Sequence, residues 1–500
     1  MDLQLSLHGR RDLAGQLYRQ LHAAIVGARL AGGTRLPSTR DLARQLGVSR
    51  KTTLDVYERL ASEGYLETRA GHGTFVASGF ALADDAPDSP EAANRARAAV
   101  RKRAAPEPLA DPDAPPPIPA RAHEVWSRVP ADLAMPIATP PLAFDFRGGI
   151  TDKTRFPWGD WRRSLNHAIR AQSRGNGEYH DAAGDPNLRV AIARYVGFSR
   201  AIACSWQDVV VTNGAQQALD LLARTLVGPG DVVAVEEPGY PPARAAFEAL
   251  GATVIGVPVD AQGLIVEQLP DAARFVYATP SHQFPLGMPM SLARRVALLD
   301  WARRRDAVVL EDDYDCEFRF DGRPLEPLKS LDRDGRVAYV GTFSKTLFPE
   351  LRIGYAIAPR PLIAPLLKVK QIADWHSGTL MQAALAHFML DGAFGRHLRR
   401  MAREYALRRA RIAAWLDGEL APWFAPVAAA AGIHVAAPFR AALDEARLLA
   451  AAREASIALI GLSAFHANAP AVPGVLFGYG GIDAPHIDIA MSALARLVRA

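Results

Sequence analysis

The chain has 500 residues, 49% of them hydrophobic and 22% charged, with a formal net charge of +5. At roughly 100–200 residues per domain this is more than one domain, and so much apolar content excludes disorder over the whole length. Two cysteines, Cys204 and Cys316, exclude a disulfide framework, and no Cys/His spacing points to zinc, so no metal site is expected. There is no apolar run of the roughly 18 residues a membrane span needs, and MDLQLSLHGRRD lacks the apolar core of a secretory signal. The expectation is a cytoplasmic protein with no membrane partner.

Residues 1–78 read as a compact helical module. Leu13, Leu17, Leu21, Ala24 and Ile25 recur at helical spacing. In Leu36-Pro37-Ser38-Thr39-Arg40-Asp41, Ser38 suits a helix cap and Asp41 the first turn. That helix ends near Gly47, and Ser49 caps the next one. Its buried face is expected at Leu54, Tyr57 and Leu60, with Arg50, Lys51 and Thr52 at the exposed start. Two short helices across a Gly-containing turn make a helix-turn-helix, whose second helix reaches base edges and phosphates through its first residues. Tyr65–Arg69, the turn Ala70-Gly71-His72-Gly73, and Thr74–Val76 read as a β-hairpin wing. Residues 1–80 carry 11 Arg/Lys against 7 Asp/Glu, a balance that suits phosphate contacts.

Residues 79–143 form an Ala/Pro-rich linker. Between Ala81 and Pro141 there are 17 Ala and 13 Pro, with little hydrophobic periodicity, which predicts a semi-extended, mobile segment. A short basic helix over Arg95–Arg103 is the alternative there.

Residues 144–500 alternate short β-branched runs with long amphipathic stretches. Val209–Val211, Val232–Val235, Phe275–Tyr277, Val308–Leu310 and Val337–Val340 are the predicted strands. This is an α/β pattern: a mostly parallel sheet covered by helices, followed by a smaller C-terminal α+β part. Four segments carry chemistry. Val211-Thr212-Asn213-Gly214-Ala215-Gln216 runs from strand through a Gly turn into a helix, whose free N–H groups suit a phosphate. Ala278–Gly287 is a polar loop after a strand and contains His282 and Gln283. Asp312 and Tyr314 follow the Val308–Leu310 strand, at the sheet edge where open α/β folds bind ligands. Lys345 follows another strand among Thr342 and Ser344, with Arg352 seven residues on; such a lysine can form an imine with an aldehyde.

Residues Leu36–Val76, including the Gly-x-Gly-Thr-Phe-Val wing, resemble the winged helix-turn-helix of GntR-type regulators. The resemblance implies operator contacts by Arg40, Ser49, Arg50, Lys51 and Thr52, and a wing of Gly71, His72 and Gly73 near the minor groove. Lys51 and Thr53 differ from the residues usual there. The C-terminal segments resemble the fold-type I aminotransferases, which use pyridoxal 5'-phosphate. By that resemblance Lys345 is the Schiff-base lysine, Asp312 pairs with the pyridine nitrogen and Tyr314 bonds the ring hydroxyl. Thr342, Arg352 and the helix start at Gly214, Ala215 and Gln216 hold the phosphate, and Tyr240 stacks on the ring. Gln283 or His282 stands near the ring oxygen. Tyr179 reaches the phosphate of a neighbouring subunit, which implies a dimer.

The combination resembles the MocR/GabR family of transcription regulators, whose PLP-binding domain senses a ligand and forms a head-to-tail homodimer on double-stranded operator DNA. The member that senses γ-aminobutyrate grips the ligand carboxylate with an arginine; Gly481 falls at that position here, and a glycine makes no such clamp. Pyridoxal phosphate itself is therefore the leading effector, ahead of an amine or amino acid, with Arg244, Arg440 or His434 as alternative clamps. A catalytically active aminotransferase with a secondary DNA-binding module is the competing reading.

Overall fold

The computed structural model describes residues 5–7, 9, 12–27, 29–69, 71–77, 126, 129, 142–320, 326–429, 431–467 and 470–499. They fall into two compact units, one within residues 1–118 and one within 119–500. Apart from residues 126, 129, 142 and 143, the linker lies outside the described residues, and so does the alternative helix at 95–103.

In the first unit, α1 (Leu13–Val26), α2 (Thr39–Leu46) and α3 (Arg50–Ser62) precede β1 (Leu66–Arg69) and β2 (Gly73–Val76), an antiparallel pair. Local chemistry sets the helix limits. Ser38 Oγ accepts from Asp41 N at 3.2 Å and Ser49 Oγ from Thr52 N at 3.0 Å, while Gly47 closes α2 in the left-handed region. Leu17, Leu21, Ile25, Leu42, Val56, Tyr57, Leu60, Leu66 and Val76 make one core. One expectation is corrected: Leu54 is 39% exposed, and the buried face of α3 is Thr53, Val56, Tyr57 and Leu60. Thr53 sits inside because its hydroxyl bonds Thr39 O at 2.8 Å, tying α3 to α2 and satisfying a polar group that burial would otherwise penalise.

The second unit opens with β3 (Phe144–Asp145). Its sheet strands are β4 (Val209–Thr212), β5 (Val232–Glu237), β6 (Thr253–Asp260), β7 (Gly263–Leu264), β8 (Ala273–Ala278), β9 (Val308–Asp313), β10 (Val337–Thr342) and β11 (Gly354–Ile357). They form one eight-stranded sheet in the order β4-β11-β10-β9-β8-β5-β6-β7. β10-β9-β8-β5-β6 run parallel, β11 runs antiparallel to both neighbours, and β7 is antiparallel to β6. β4, β9 and β10 are buried along almost their whole length, which explains their unbroken apolar character in the sequence. The helix Gly214–Leu226 connects β4 to β5, Leu292–Arg305 connects β8 to β9, and Arg360–Asp374 follows β11.

A C-terminal lobe follows: β12 (His434–Pro438), β13 (Ile457–Ala458), β14 (Ile460–Gly461) and β15 (Gly474–Gly478) with the helices Ala393–Asp417, Glu445–Glu454 and Ala484–Leu497. β12-β15-β14 form an antiparallel sheet, and β3 pairs in parallel with β13, so the start of this unit is stitched into its end. Phe146, Phe318, Tyr405, Ile412, Phe424 and Phe477 belong to its core. No described helix is long and apolar enough to cross a membrane.

Candidate functional site

Because β4, β5, β8, β9 and β10 all point the same way, the loops that leave their C-terminal ends converge on one edge. Those loops hold Gly214, Tyr240, His282, Gln283, Tyr314 and Lys345, with Asp312 and Thr342 on the last residues of β9 and β10.

Asp312 is the best defined of them. Its Oδ2 accepts a hydrogen bond from Tyr277 Oη of the neighbouring strand β8 at 2.9 Å, while Oδ1 is buried with no partner among the described residues. Burial pushes this carboxyl up to about 7, against the bond from Tyr277. A buried acid oxygen without a donor is costly in isolation, and it fits a site meant for an N–H donor brought by a ligand. Lys345 Nζ bonds Gly149 O at 3.2 Å. Burial lowers the Lys345 ammonium, opposed by Asp315 and Asp312, and a lowered lysine is the more nucleophilic one.

A candidate anion cup is built by close approach. Arg352, itself in the left-handed region, donates from Nη2 to Asn213 O at 3.2 Å and lies over the helix start. Gly214 has φ +77°, and a Cβ there would come within 2.6 Å of Arg352 Nη2; a Cβ on Gly354 of β11 would meet Ala215 N at 2.8 Å. Only glycines allow the guanidinium and β11 to close around the first N–H groups of the helix, at Gly214, Ala215 and Gln216, which have no intrahelical acceptor. Thr342 is buried beside them, its Oγ1 accepting from Ser344 N at 3.1 Å.

Tyr240 caps the helix Pro241–Ala249 and meets Phe284 edge-on at 5.6 Å. Tyr314 Oη donates to His282 O at 2.8 Å. Gln283 is placed differently from the sequence expectation: Nε2 donates to Pro238 O and Phe284 O, and Oε1 accepts from Leu286 N, so its amide braces the loop instead of presenting a donor to a ring. Tyr179 is 78% exposed, with its ring tilted against Trp375 at 5.0 Å and edge-on to His376 at 6.0 Å. The alternative clamps are engaged elsewhere: Arg244 with Glu237 at 2.9 Å, Arg440 with Phe424 O, and His434 with Pro285 O. Gly481 lies against Ile150.

Three features were not foreseen. Tyr277 as the partner of Asp312 had a signal, its place at the end of a predicted strand, but strand order decides that β8 neighbours β9. Arg200 makes a buried ion pair with Asp313, which also accepts from Tyr339 Oη at 2.7 Å. His282, Asp315 and His434 meet in a buried group of metal-ligand type, assembled from positions too far apart in sequence to be read as a motif.

In the first unit, Arg40, Ser49, Arg50 and Lys51 are exposed and Thr52 is half-buried, at the starts of α2 and α3; Gly71 and His72 are exposed at the wing and Gly73 is half-buried. Arg44, Arg59 and Arg69 pair with acidic side chains, whereas among the described residues Arg40, Arg50 and Lys51 do not. The cations open to an anionic partner therefore include those at the helix starts, alongside the exposed Arg29 and Arg35.

Fold and sites together define a helix-turn-helix DNA-binding protein with a fold-type I aminotransferase-like domain. Residues 13–76 match the bacterial regulatory proteins of the gntR family, and residues 151–476 match aminotransferase class I and II. The chain is 38% identical over 469 residues, 94% of its length and 90% of the relative's, to the probable rhizopine catabolism regulatory protein MocR of Rhizobium meliloti. It is 30% identical, over 97% of its length and 95% of the relative's, to the HTH-type pyridoxine biosynthesis transcriptional regulator PdxR of Corynebacterium glutamicum. The structure is similar to Pyrococcus horikoshii kynurenine aminotransferase, with a TM-score of 0.67 and 28% identity over 76% of this chain and 95% of that one. The chain belongs to the MocR-type transcription regulators, in which a GntR helix-turn-helix precedes an aminotransferase class I and II domain.

Proposed function

We propose that this regulator binds pyridoxal 5'-phosphate at Lys345 and that the cofactor is its effector. The observation that carries the reading is the buried, unpartnered Oδ1 of Asp312, in one pocket with a desolvated lysine and a glycine-lined anion cup. When bound, the cofactor supplies an aldehyde for the lysine and an electron-poor ring. The chain's part is to hold it. Asp312 takes the ring N–H, Arg352, Thr342 and the N–H groups of Gly214, Ala215 and Gln216 take the phosphate, and Tyr240 covers a ring face. Tyr179 is exposed and so open to a second copy of the chain, and a homodimer on operator DNA is part of this reading. With Arg244, Arg440 and His434 all engaged, an amino-acid carboxylate lacks a clamp among them, which favours the cofactor over an amino acid as the signal. A ligand changes DNA binding only through different affinities for two arrangements, so the cofactor has to favour one of them.

The test is the visible absorbance of the protein with pyridoxal phosphate, for wild type and Lys345→Ala, alongside operator binding with and without the cofactor. A band present in wild type and absent in the variant, with operator affinity responding only in wild type, is expected. No band, or an identical response in the variant, refutes cofactor sensing. Multiple turnovers with an amino donor and a keto acid would make the protein an enzyme instead.

A further inference from the structure

Behind Tyr314 lies a chain of buried polar groups that the cofactor site as described does not use. His282 Nδ1 is 2.9 Å from Asp315 Oδ1 and 3.1 Å from Tyr314 Oη. Asp315 Oδ2 accepts from the backbone N–H of Ile433 at 3.1 Å and faces His434 Nδ1 at 3.9 Å. His434 Nε2 lies 3.0 Å from Pro285 O, and a carbonyl can only accept, so Nε2 carries the proton. The Nδ1 of a neutral His434 then turns its lone pair toward Asp315. Burial, with His282 alongside, pushes His434 down to about 3, so it is neutral near pH 7. Asp315 behaves differently: burial alone would raise its carboxyl, yet His282 and the Ile433 N–H hold it below the ordinary value.

The group spans two parts of the fold. His282, Tyr314 and Asp315 come from loops after β8 and β9, while His434 opens β12 in the C-terminal lobe and Ile433 directly precedes it. The two sides meet through a glycine: a Cβ on Gly432 would overlap the His282 ring at 2.0 Å, so the ring lies directly on the backbone that enters β12. His282, Asp315 and His434 are each at most 2% exposed, and His282 Nε2 has no partner among the described residues. Any shift of β12 must therefore move the groups that fix Asp315 and His282.

We propose that His282 and Asp315 are positioning residues for the cofactor: they orient the Tyr314 hydroxyl and keep a buried negative charge behind it, and through Ile433 and His434 they tie the pocket to β12. The proton on the lysine-bound cofactor and the position of the C-terminal lobe are then set together, which is the coupling a sensor needs. This rests on the cofactor reading above. The charged and titratable groups around the two centres are few. Lys345 is faced by Asp312, Asp315, Arg352 and His434; Asp315 is faced by His282, His434, Tyr314, Tyr479, Asp312 and Lys345.

The experiment is a pH titration of the visible band of cofactor-loaded, full-length protein, with hydrogen exchange of the peptide spanning 432–438. Asp315→Asn removes the charge without changing shape. The band's midpoint should fall by about one pH unit, because the cation at Lys345 loses a nearby negative group. His282→Asn keeps a donor at the Nδ1 position and should restore most of the wild-type midpoint, whereas His282→Gln, which places its donor at the Nε2 position, should not. Cofactor loading should slow exchange in 432–438 in wild type and leave it unchanged in Asp315→Asn. Thermal unfolding of the cofactor-free variants separates loss of fold from loss of function, and His282→Asn serves if Asp315→Asn is unstable. An unmoved midpoint in Asp315→Asn, or equal behaviour of the two His282 variants, overturns the proposal while leaving cofactor binding intact. So does a stoichiometric divalent metal that co-purifies and is lost in His434→Gln, since a cation would then hold the three side chains. The absence of any band in wild type would instead defeat the cofactor reading itself.

Discussion

Asp312→Asn separates a ligand site from a structural carboxylate. Asp312 holds one bonded and one unbonded oxygen in a buried position, and its carboxyl is raised by burial to about 7. An unfolded aspartate titrates near 3.9, so the difference is about three units, or roughly 4 kcal/mol once both states are ionised. The sign follows from proton counting. Between about pH 4 and pH 7 the folded protein keeps a proton that the unfolded chain has released, so this group's contribution to stability falls as the pH rises through that window. Asparagine still accepts from Tyr277 and carries no charge, but it buries an amide N–H₂ without a partner, costing about 1–3 kcal/mol. At pH 8 and without cofactor the variant should therefore be about 1–3 kcal/mol more stable than wild type. At pH 5 that advantage should vanish or reverse. With pyridoxal phosphate the order should change, because only the carboxylate matches a ring N–H cation. Urea unfolding at both pH values, with and without cofactor, measures all four quantities. A variant that is destabilised at pH 8 without cofactor, yet still gains as much from pyridoxal phosphate as wild type, would show that Asp312 only supports Tyr277, and the reasoning would fail.

Gly214→Ala puts a side chain where φ is +77° and where Arg352 Nη2 lies 2.6 Å from the new Cβ. It should cost about 1–2 kcal/mol in backbone strain and weaken cofactor binding at least tenfold, read by absorbance titration. Ser49→Ala removes the cap at Thr52 N and should destabilise the N-terminal unit by about 1 kcal/mol, measured by thermal unfolding. Arg50→Ala should weaken operator binding by about 1–3 kcal/mol if the side chain reads a base; an even loss over all sequences would assign it to a phosphate. Glu236, Glu311 and Glu317 are, like Asp312, raised by burial to about 7, so cofactor-free protein should lose stability between pH 5 and pH 8, as followed by melting temperature.

Much of this protein is legible because its signals are local. Ser38 and Ser49 announce helix starts by a side chain three residues from the N–H it caps, and both caps form. The runs at Val209, Val232, Phe275, Val308 and Val337 become β4, β5, β8, β9 and β10, since strands buried on both faces tolerate little but apolar residues. Lys345, Asp312, Arg352 and Gly214 stand where their flanking elements end, so local pattern and resemblance place them at one sheet edge. Periodicity was less sure on α3, where Leu54 faces outward and a threonine takes the inner position because a backbone carbonyl is there to receive its hydroxyl.

The sequence by itself determined the two kinds of domain, the strand and cap positions, and which residues could carry the chemistry, because each depends on neighbours within a few residues along the chain. Tertiary structure alone decided that Tyr277 supports Asp312, that Gln283 turns inward to brace its loop, and that His282 and Asp315 meet His434 across more than a hundred residues. Those pairings depend on strand order and on how closely a glycine lets two backbones approach. Neither is written in any short stretch of residues, since each arises only when distant segments bury against one another.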